Sequence, residues 1–156
     1  MKLFIKQRVF AFGQKFDIYD ETGETRFYCE GEIFTFGRKL HLYNTAGQEV
    51  VYIKQKLLSL LPKYEIYING SYTATLIKKF TILSHDYYYQ DLDWNVSGEF
   101  LAHEYMITSS KGNTIMTLSK RWLTWGDTYC LDIFDNKNLL LCLASSIVID
   151  SVCHED

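Results

Sequence analysis

The chain has 156 residues, of which 47% are hydrophobic and 22% charged, and we expect one domain spanning residues 1–156. Its net charge of −3 argues against a general nucleic-acid binder, because such proteins carry a basic surplus. The sequence has neither an apolar run long enough for a transmembrane helix nor the apolar core of a signal peptide. We therefore expect a cytoplasmic protein without a transmembrane span.

The cysteines form no Cys-x-x-Cys pair and lack the spacing of zinc ligands. In a chain without an export signal, such cysteines are expected to be free thiols in a reducing cytosol. The residues concerned are Cys29, Cys130, Cys142 and Cys153.

The histidines also lack a His or Cys partner at ligand spacing, so we predict neither a metal site nor a cofactor. They are His41, His85, His103 and His154. One of them, His85, has Asp86, Asp91 and Asp93 nearby in sequence, and these groups could carry acid–base chemistry. A solvated loop between two half-barrels is the simpler interpretation. The intervening tyrosines 87–89 are expected to lie partly in the core.

Short segments of alternating polar and apolar residues dominate the chain from its first quarter onward. The first of them places Phe16 and Ile18 on one face and Asp17 on the other. Such period-two alternation is typical of half-buried β-strands. The clearest segments are 15–20, 38–43, 63–69 and 128–134.

Polar turns separate these segments. Gly23, Gly47 and Gly112 each end such a turn, and Asn69-Gly70 is a strong two-residue hairpin signal. Strand follows strand without an intervening helix, which predicts an antiparallel meander. We expect about twelve strands of roughly five to nine residues.

The sequence also contains an internal repeat. A shift of 65 residues superimposes hydrophobic positions without a gap, such as Leu42 on Ile107 and Ile66 on Leu131, and it also superimposes Gly47 on Gly112. Any two antiparallel hairpins match to some degree. The shared glycine turn favours a true duplication.

The two copies diverge at their ends. The first continues into a predicted strand at 71–79, whereas the second continues into a segment that is apolar nearly all round. Leucine and alanine favour a helix from about 138 to 151, with Asn136 or Asn138 as its cap. The alternative is a central strand, because residues 147–149 are β-branched.

A helix of this kind must be buried on all sides. About 14 residues span only about 21 Å, which is too short to cross a bilayer of about 30 Å. A sheet that covers such a helix has to close around it, and closure also removes exposed strand edges. We therefore predict an all-β fold with one helix: a closed antiparallel barrel of about twelve strands around a C-terminal apolar helix.

The chain resembles the LURP-one-related family. The resemblance is carried by the apolar segment 139–150 with its final aspartate, by the opening 4–8 and by the turn 19–23. This family shares its fold with the Tubby C-terminal domain and, more distantly, with the phospholipid scramblases. The resemblance implies a twelve-stranded barrel around a C-terminal helix. It supplies no catalytic residues, and no motif here marks positions equivalent to the basic side chains through which Tubby-type domains bind phosphoinositide headgroups.

Basic residues cluster beside large apolar ones in both copies of the repeat. Lysines flank the apolar segment 57–61, and Lys120 and Arg121 precede Trp122 and Trp125. This pairing suits an anionic headgroup or membrane surface. The alternative is a strand edge that lysines keep soluble. We expect a lipid- or anion-binding site on the outer wall where four residues approach one another: Lys54, Lys56, Lys120 and Arg121.

These features favour a non-enzymatic intracellular binding module. Because a helix fills the lumen, any site must lie on the outer wall or at a rim of the barrel. The expected partner is an anionic lipid headgroup or a protein, and not a nucleic acid. The alternatives are a protein-interaction scaffold and an enzyme with a rim site near His85.

Overall fold

The computed structural model describes residues 1–8, 11, 13–80, 86–99, 103–121 and 128–153. The first six strands are β1 (Lys2–Gln7), β2 (Lys15–Asp20), β3 (Thr25–Gly31), β4 (Lys39–Asn44), β5 (Glu49–Lys56) and β6 (Lys63–Ile68). The remaining strands are β7 (Ser71–Lys78), β8 (Tyr87–Tyr89), β9 (Trp94–Glu99), β10 (Glu104–Ser109), β11 (Thr114–Arg121) and β12 (Thr128–Ile133). A short 3-10 turn (Asn136–Asn138) leads into α1 (Leu139–Cys153).

The strands form a closed antiparallel barrel in which each strand pairs with its neighbours in sequence. β1 completes the ring, because it pairs with β2 on one side and with β12 on the other. The predicted twelve-stranded closed barrel is therefore confirmed. The strands are three to eight residues long, and the shortest is β8.

Alternation along each strand separates the core from the outer wall. In β4, Leu40 and Leu42 are each 1% exposed and face the lumen, whereas Lys39, His41 and Tyr43 are only partly buried. The same pattern recurs around the ring, so the inward rows form one continuous apolar core.

The C-terminal helix fills the lumen, as the sequence predicts. Ala144 and Ile147 have no exposed surface, and α1 covers 139–153 in place of the expected 138–151. The alternative of a central strand is wrong. Asp135 caps the preceding 3-10 turn, and its carboxylate accepts a bond of 3.2 Å from the backbone N–H of Lys137. Asn136 and Asn138 lie within that turn, and the asparagine cap of α1 itself stays a prediction.

Three serines lie in this apolar helix, and the hydroxyl of each one donates a hydrogen bond. Ser145 and Ser146 donate to the carbonyls of Leu141 and Cys142, over 2.7 and 2.9 Å. Ser151 donates to the carbonyl three residues earlier. Bonds of this type satisfy buried hydroxyls that would otherwise destabilise the core.

The internal repeat is visible in the fold. The 65-residue shift maps β4, β5 and β6 onto β10, β11 and β12, with every strand boundary coinciding. Even the irregularity in pairing after Leu42 recurs after Ile107. Equivalent strands lie six positions apart in a ring of twelve, so the two copies are on opposite sides of the barrel.

Other sequence predictions can be compared with the described residues. Cys29, Cys130 and Cys142 are free and buried, as expected, whereas the side chain of Cys153 lies outside the described residues. Within the tyrosine run 87–89 the first and last side chains are buried, which agrees with a core role. In the described part of the chain, no helix combines the length and apolar character needed to cross a bilayer.

Candidate functional site at the loop end of the barrel

The two ends of the barrel differ in their connections. At one end, here called the turn end, short connections join the strands: 21–24, 45–48, 69–70, 90–93 and 110–113. At the other, here called the loop end, odd-numbered strands finish and even-numbered strands begin. Its connections are mostly longer: 8–14, 32–38, 57–62, 79–86, 100–103 and 122–127. Long loops on a rigid scaffold are where binding sites concentrate.

The net charge of −3 is unevenly distributed between the two ends of the barrel. Exposed carboxylates such as Glu21, Glu24 and Asp93 lie in connections of the turn end. Lysines gather instead where β5, β6 and β7 meet the loop end. We call this group the lysine sector, and it consists of Lys54, Lys56, Lys63, Lys78 and Lys79.

Large apolar side chains project from the loop end into solvent. Phe34 and Phe36 in the connection 32–38 are each 93% exposed. Leu58 and Leu60 in the connection 57–62 are fully exposed, and Phe80 is 87% exposed. We call these five residues the apolar tips. Single exposed apolar residues are ordinary, but a group of them at one end of a protein marks an interaction surface.

Two of the apolar tips have unusual backbones. Phe34 and Leu58 adopt φ values of 61° and 60°, in the left-handed region that bulky side chains disfavour. The loops that carry them also touch, since a Cβ added to Gly37 would lie 3.0 Å from a methyl carbon of Leu57. Strained residues that persist in a fold are concentrated at functional sites.

The lysine sector contains like charges in opposed positions. Lys39 faces Lys54 between β4 and β5, and Lys56 faces Lys63 between β5 and β6. Lys56 has an ion pair of 3.8 Å with Glu65. Like charges directly opposite each other destabilise a sheet, and Glu65, which also faces Lys54, offsets only part of this repulsion. The surplus of positive charge suits a bound anion.

The structure does not bring the predicted site residues together. β5 and β11 have five strands between them in either direction, and strands about 4.8 Å apart give a twelve-stranded barrel a diameter of at least about 18 Å. Lys54 and Lys56 therefore lie across the loop end from Arg121, and the predicted convergence is wrong. Moreover, Lys120 alternates with the outward Arg121 and places its Nζ 5.9 Å from the centre of the buried Tyr129 ring.

The acidic residues of the segment 85–93, which were considered for acid–base chemistry, lie at opposite ends of the barrel. β8 separates Asp86, near the loop end, from Asp91 and Asp93 at the turn end, so the expected single loop is wrong. Asp86 accepts a bond of 3.3 Å from the backbone N–H of Gly98. His85 lies outside the described residues, as do His154, Trp122 and Trp125. Among the described residues, no group of three side chains could hold a metal ion.

Sequence analysis missed a charged cluster on the outer wall. His41 Nδ1 lies 2.6 Å from Glu49 Oε2, and its Nε2 lies 2.8 Å from Glu32 Oε1. Lys39 also reaches Glu32, at 3.4 Å. Burial lowers the pKa of His41, but the bonds to Glu49 and Glu32 outweigh burial and leave this pKa raised. The register of the β4–β5 hairpin could have suggested the pairing with Glu49.

The connection 32–38 is tied to the core helix. Arg38 donates from its guanidinium to the carbonyl of Ser151 in the last turn of α1, and its backbone N–H donates to Gln55 Oε1 over 2.9 Å. A cation at a helix C-terminus is favourable. A cleft of about 480 Å³ lies beside this connection. Its charged side chains are Glu32, Arg38 and Lys39, which already have the partners described above.

Comparisons with known proteins relate the sequence to one family and the fold to one solved structure. The sequence model of the family described as "LURP-one-related" matches residues 1–150. The uncharacterised protein YxjI of Bacillus subtilis is 38% identical over 156 residues, which cover all of this chain and 96% of that protein. An X-ray structure of the Arabidopsis thaliana protein AT5G01750 superimposes with a TM-score of 0.68 and 14% identity, over 97% of this chain and 91% of that one.

Proposed function

The chain belongs to the LURP-one-related family, and we propose that it is a non-enzymatic module that binds anionic membrane surfaces through the loop end of its barrel. One observation carries the proposal: the fully exposed apolar tips lie at the same end of the barrel as the lysine sector. Apolar side chains that enter the headgroup region beside lysines that meet anionic lipids are the two elements of an interfacial membrane contact.

The apolar tips supply the part of the contact that salt does not weaken. Burying a Phe or Leu side chain contributes about 1.5–3 kcal/mol when burial is complete. Phe34 and Leu58 extend from neighbouring loops that contact each other, so their side chains can enter one membrane patch together. Their left-handed backbones hold the side chains outward at a cost of the order of 1 kcal/mol each.

The lysine sector supplies the electrostatic part. Each lysine near an anionic surface contributes about 1 kcal/mol. Lys78 shares the inward face of β7 with the buried Leu76, so the other four lysines of the sector give at most about 4 kcal/mol. This attraction falls within a Debye length of about 8 Å at physiological salt. Arg121, across the loop end, is a secondary contributor on this proposal, and the inward Lys120 contributes little.

The test is co-sedimentation with vesicles of phosphatidylcholine alone or mixed with phosphatidylglycerol. We expect the wild type to bind the mixed vesicles and to bind them less at high salt. Lys54→Glu with Lys63→Glu should abolish binding, and Leu58→Ser with Leu60→Ser should weaken it at every salt concentration. The matched control is Lys111→Glu with Lys137→Glu, because these exposed lysines lie at the turn end.

The outcomes separate the proposal from its alternatives. If the turn-end control loses binding as fully as the lysine-sector variant, attraction depends on net charge alone and the proposed site is wrong. If the wild type binds neither kind of vesicle, the module does not recognise membranes. The lysines would then serve only to keep the strand edges soluble.

A second candidate function, a protein-interaction scaffold, is favoured by a row of aromatic rings across β3 to β7. The rings from β3 to β5 stack, with centroids 5.1 Å apart for Tyr28 and Tyr43 and 4.9 Å apart for His41 and Tyr52. Farther along the row, Tyr67 is tilted against Tyr52 and meets Tyr72 edge to face. Because stacked rings cover each other's faces, this row presents edges and hydroxyls, as tyrosines do at protein interfaces. A partner that binds the lysine-sector variant but not Tyr52→Ala would support this function.

A further inference from the structure

The carboxylate of Glu32 stands at the base of the connection that carries Phe34 and Phe36. Its backbone N–H continues the strand ladder by donating to the carbonyl of Lys39 over 2.9 Å, and its side chain meets His41 at 2.8 Å. The next residues leave the ladder and lead into the exposed loop. The charge of Glu32 therefore lies directly under a loop that, on the proposed function, faces an anionic membrane.

With both carboxylates ionised, only the protonated form of His41 satisfies both contacts. Both ring nitrogens contact carboxylate oxygens, at 2.6 and 2.8 Å. An imidazolium donates from both nitrogens, whereas a neutral imidazole carries one proton and turns a lone pair toward the other carboxylate. The ring cannot easily turn away, because it stacks against Tyr52 with centroids 4.9 Å apart.

The charged groups around His41 come from three strands and one loop. Glu49 and Tyr52 face it from β5, and Glu30 faces it from β3, where Lys15 pairs with Glu30 at 3.3 Å. Lys39 and Tyr43 flank it on β4, and Lys39 also pairs with Glu32. When His41 loses its proton, two carboxylates keep their charges while one positive charge disappears.

We propose that the cluster of Glu32, His41 and Glu49 makes the membrane contact sensitive to pH, with protonated His41 neutralising and fixing the base of the connection 32–38. This inference rests on the proposed function and concerns the regulation of the same site. When His41 loses its proton, Lys39 is the cation that still pairs with Glu32. The lost positive charge makes the base of the connection more negative, which adds repulsion toward anionic lipid. Binding is therefore tighter at acidic pH.

The test measures partition onto phosphatidylglycerol vesicles at about pH 6 and about pH 8. One charge near an anionic surface is worth about a fivefold change in binding. We expect the wild type to bind about fivefold more tightly at the lower pH. We expect His41→Gln, which cannot titrate, to bind nearly equally at both. The matched control is Glu24→Gln, which removes an exposed carboxylate at the turn end and should keep the wild-type ratio.

A second measurement needs no membrane. Hydrogen exchange of the amides 33–37, corrected for the intrinsic effect of pH, should be slower at the lower pH in the wild type and independent of pH in His41→Gln. If the wild type binds vesicles with the same pH ratio as His41→Gln, the inference is overturned and the proposed function stands. If the wild type binds at neither pH, both fail.

Discussion

Gly98 lies where β9 faces the core, opposite the buried Tyr105 of β10. A Cβ added there would lie 2.1 Å from Cδ1 of that ring, against an ordinary carbon–carbon contact of about 3.5 Å. The backbone of Gly98 is not in the left-handed region, so Gly98→Ala tests packing without adding backbone strain. To admit the methyl group, the ring must move by more than 1 Å inside a filled barrel, which distorts its neighbours.

Overpacking of this kind costs about 1–3 kcal/mol. Replacing glycine also restricts the unfolded chain, and this alone would raise the free energy of unfolding by about 0.4–1 kcal/mol. We therefore expect Gly98→Ala to lower the free energy of unfolding by about 1–2 kcal/mol, measured by urea denaturation. Ser97→Ala, at an exposed neighbouring position, should change it by less than about 0.5 kcal/mol.

A double-mutant cycle identifies the cause. Tyr105→Leu removes the ring that the new methyl group meets, so Gly98→Ala should cost less in that background, with a coupling of at least about 0.5 kcal/mol. If Gly98→Ala unfolds at the same urea concentration as Ser97→Ala, the close approach of Tyr105 to Gly98 does not constrain the barrel and the reasoning fails.

Three further predictions concern the core and the outer wall. Ala144→Asp should prevent cooperative folding, because an unpaired buried charge costs several kcal/mol; Ala46→Asp, in an exposed turn, should fold, and a folded Ala144→Asp protein would contradict the buried helix. Burial raises the pKa of Cys142 to about 12. Because Cys29, Cys130 and Cys142 are all buried, they should resist a thiol reagent in the native protein and react after denaturation without a reductant; a mass two hydrogens low would reveal a disulfide instead. The raised pKa of His41 means that its stabilising effect is complete below the ordinary value of 6.5 and is lost as pH rises through the raised value. The advantage of the wild type over His41→Gln in unfolding free energy should shrink above that pH, and an advantage that grows would refute the assignment.

The architecture was predictable because two periodicities dominate the sequence. Period-two segments such as 15–20 can only be half-buried strands, and an apolar helix at 139–153 is stable only when a sheet surrounds it. The 65-residue repeat even reproduces strand boundaries, since Leu42 and Ile107 precede equivalent irregularities. Local patterns decide these features, so one sequence suffices to find them.

The candidate site was only partly predictable, because it depends on which strands become neighbours. The basic residues around 57–61 were recognised, but their equivalents at Lys120 and Arg121 were placed beside them although the ring separates the two copies. Lys120 and Arg121 are consecutive in β11, so they lie on opposite faces and only Arg121 is on the outer wall. The exposure of Phe34 and Phe36 depends on loop geometry, and the pairing of His41 depends on hairpin register.

The closure of the barrel between β1 and β12 has a consequence for biosynthesis. Phe4 pairs with Cys130, so the ring joins segments from opposite parts of the chain, and α1 follows all twelve strands. The other pairings join consecutive strands, so closing the ring is the step with the largest loop-closure cost. A nascent chain exposes unpaired strand edges and an empty lumen until the helix has emerged from the ribosome, and such species are prone to aggregate. The topology therefore delays protection of the strand edges until nearly the whole chain has been made.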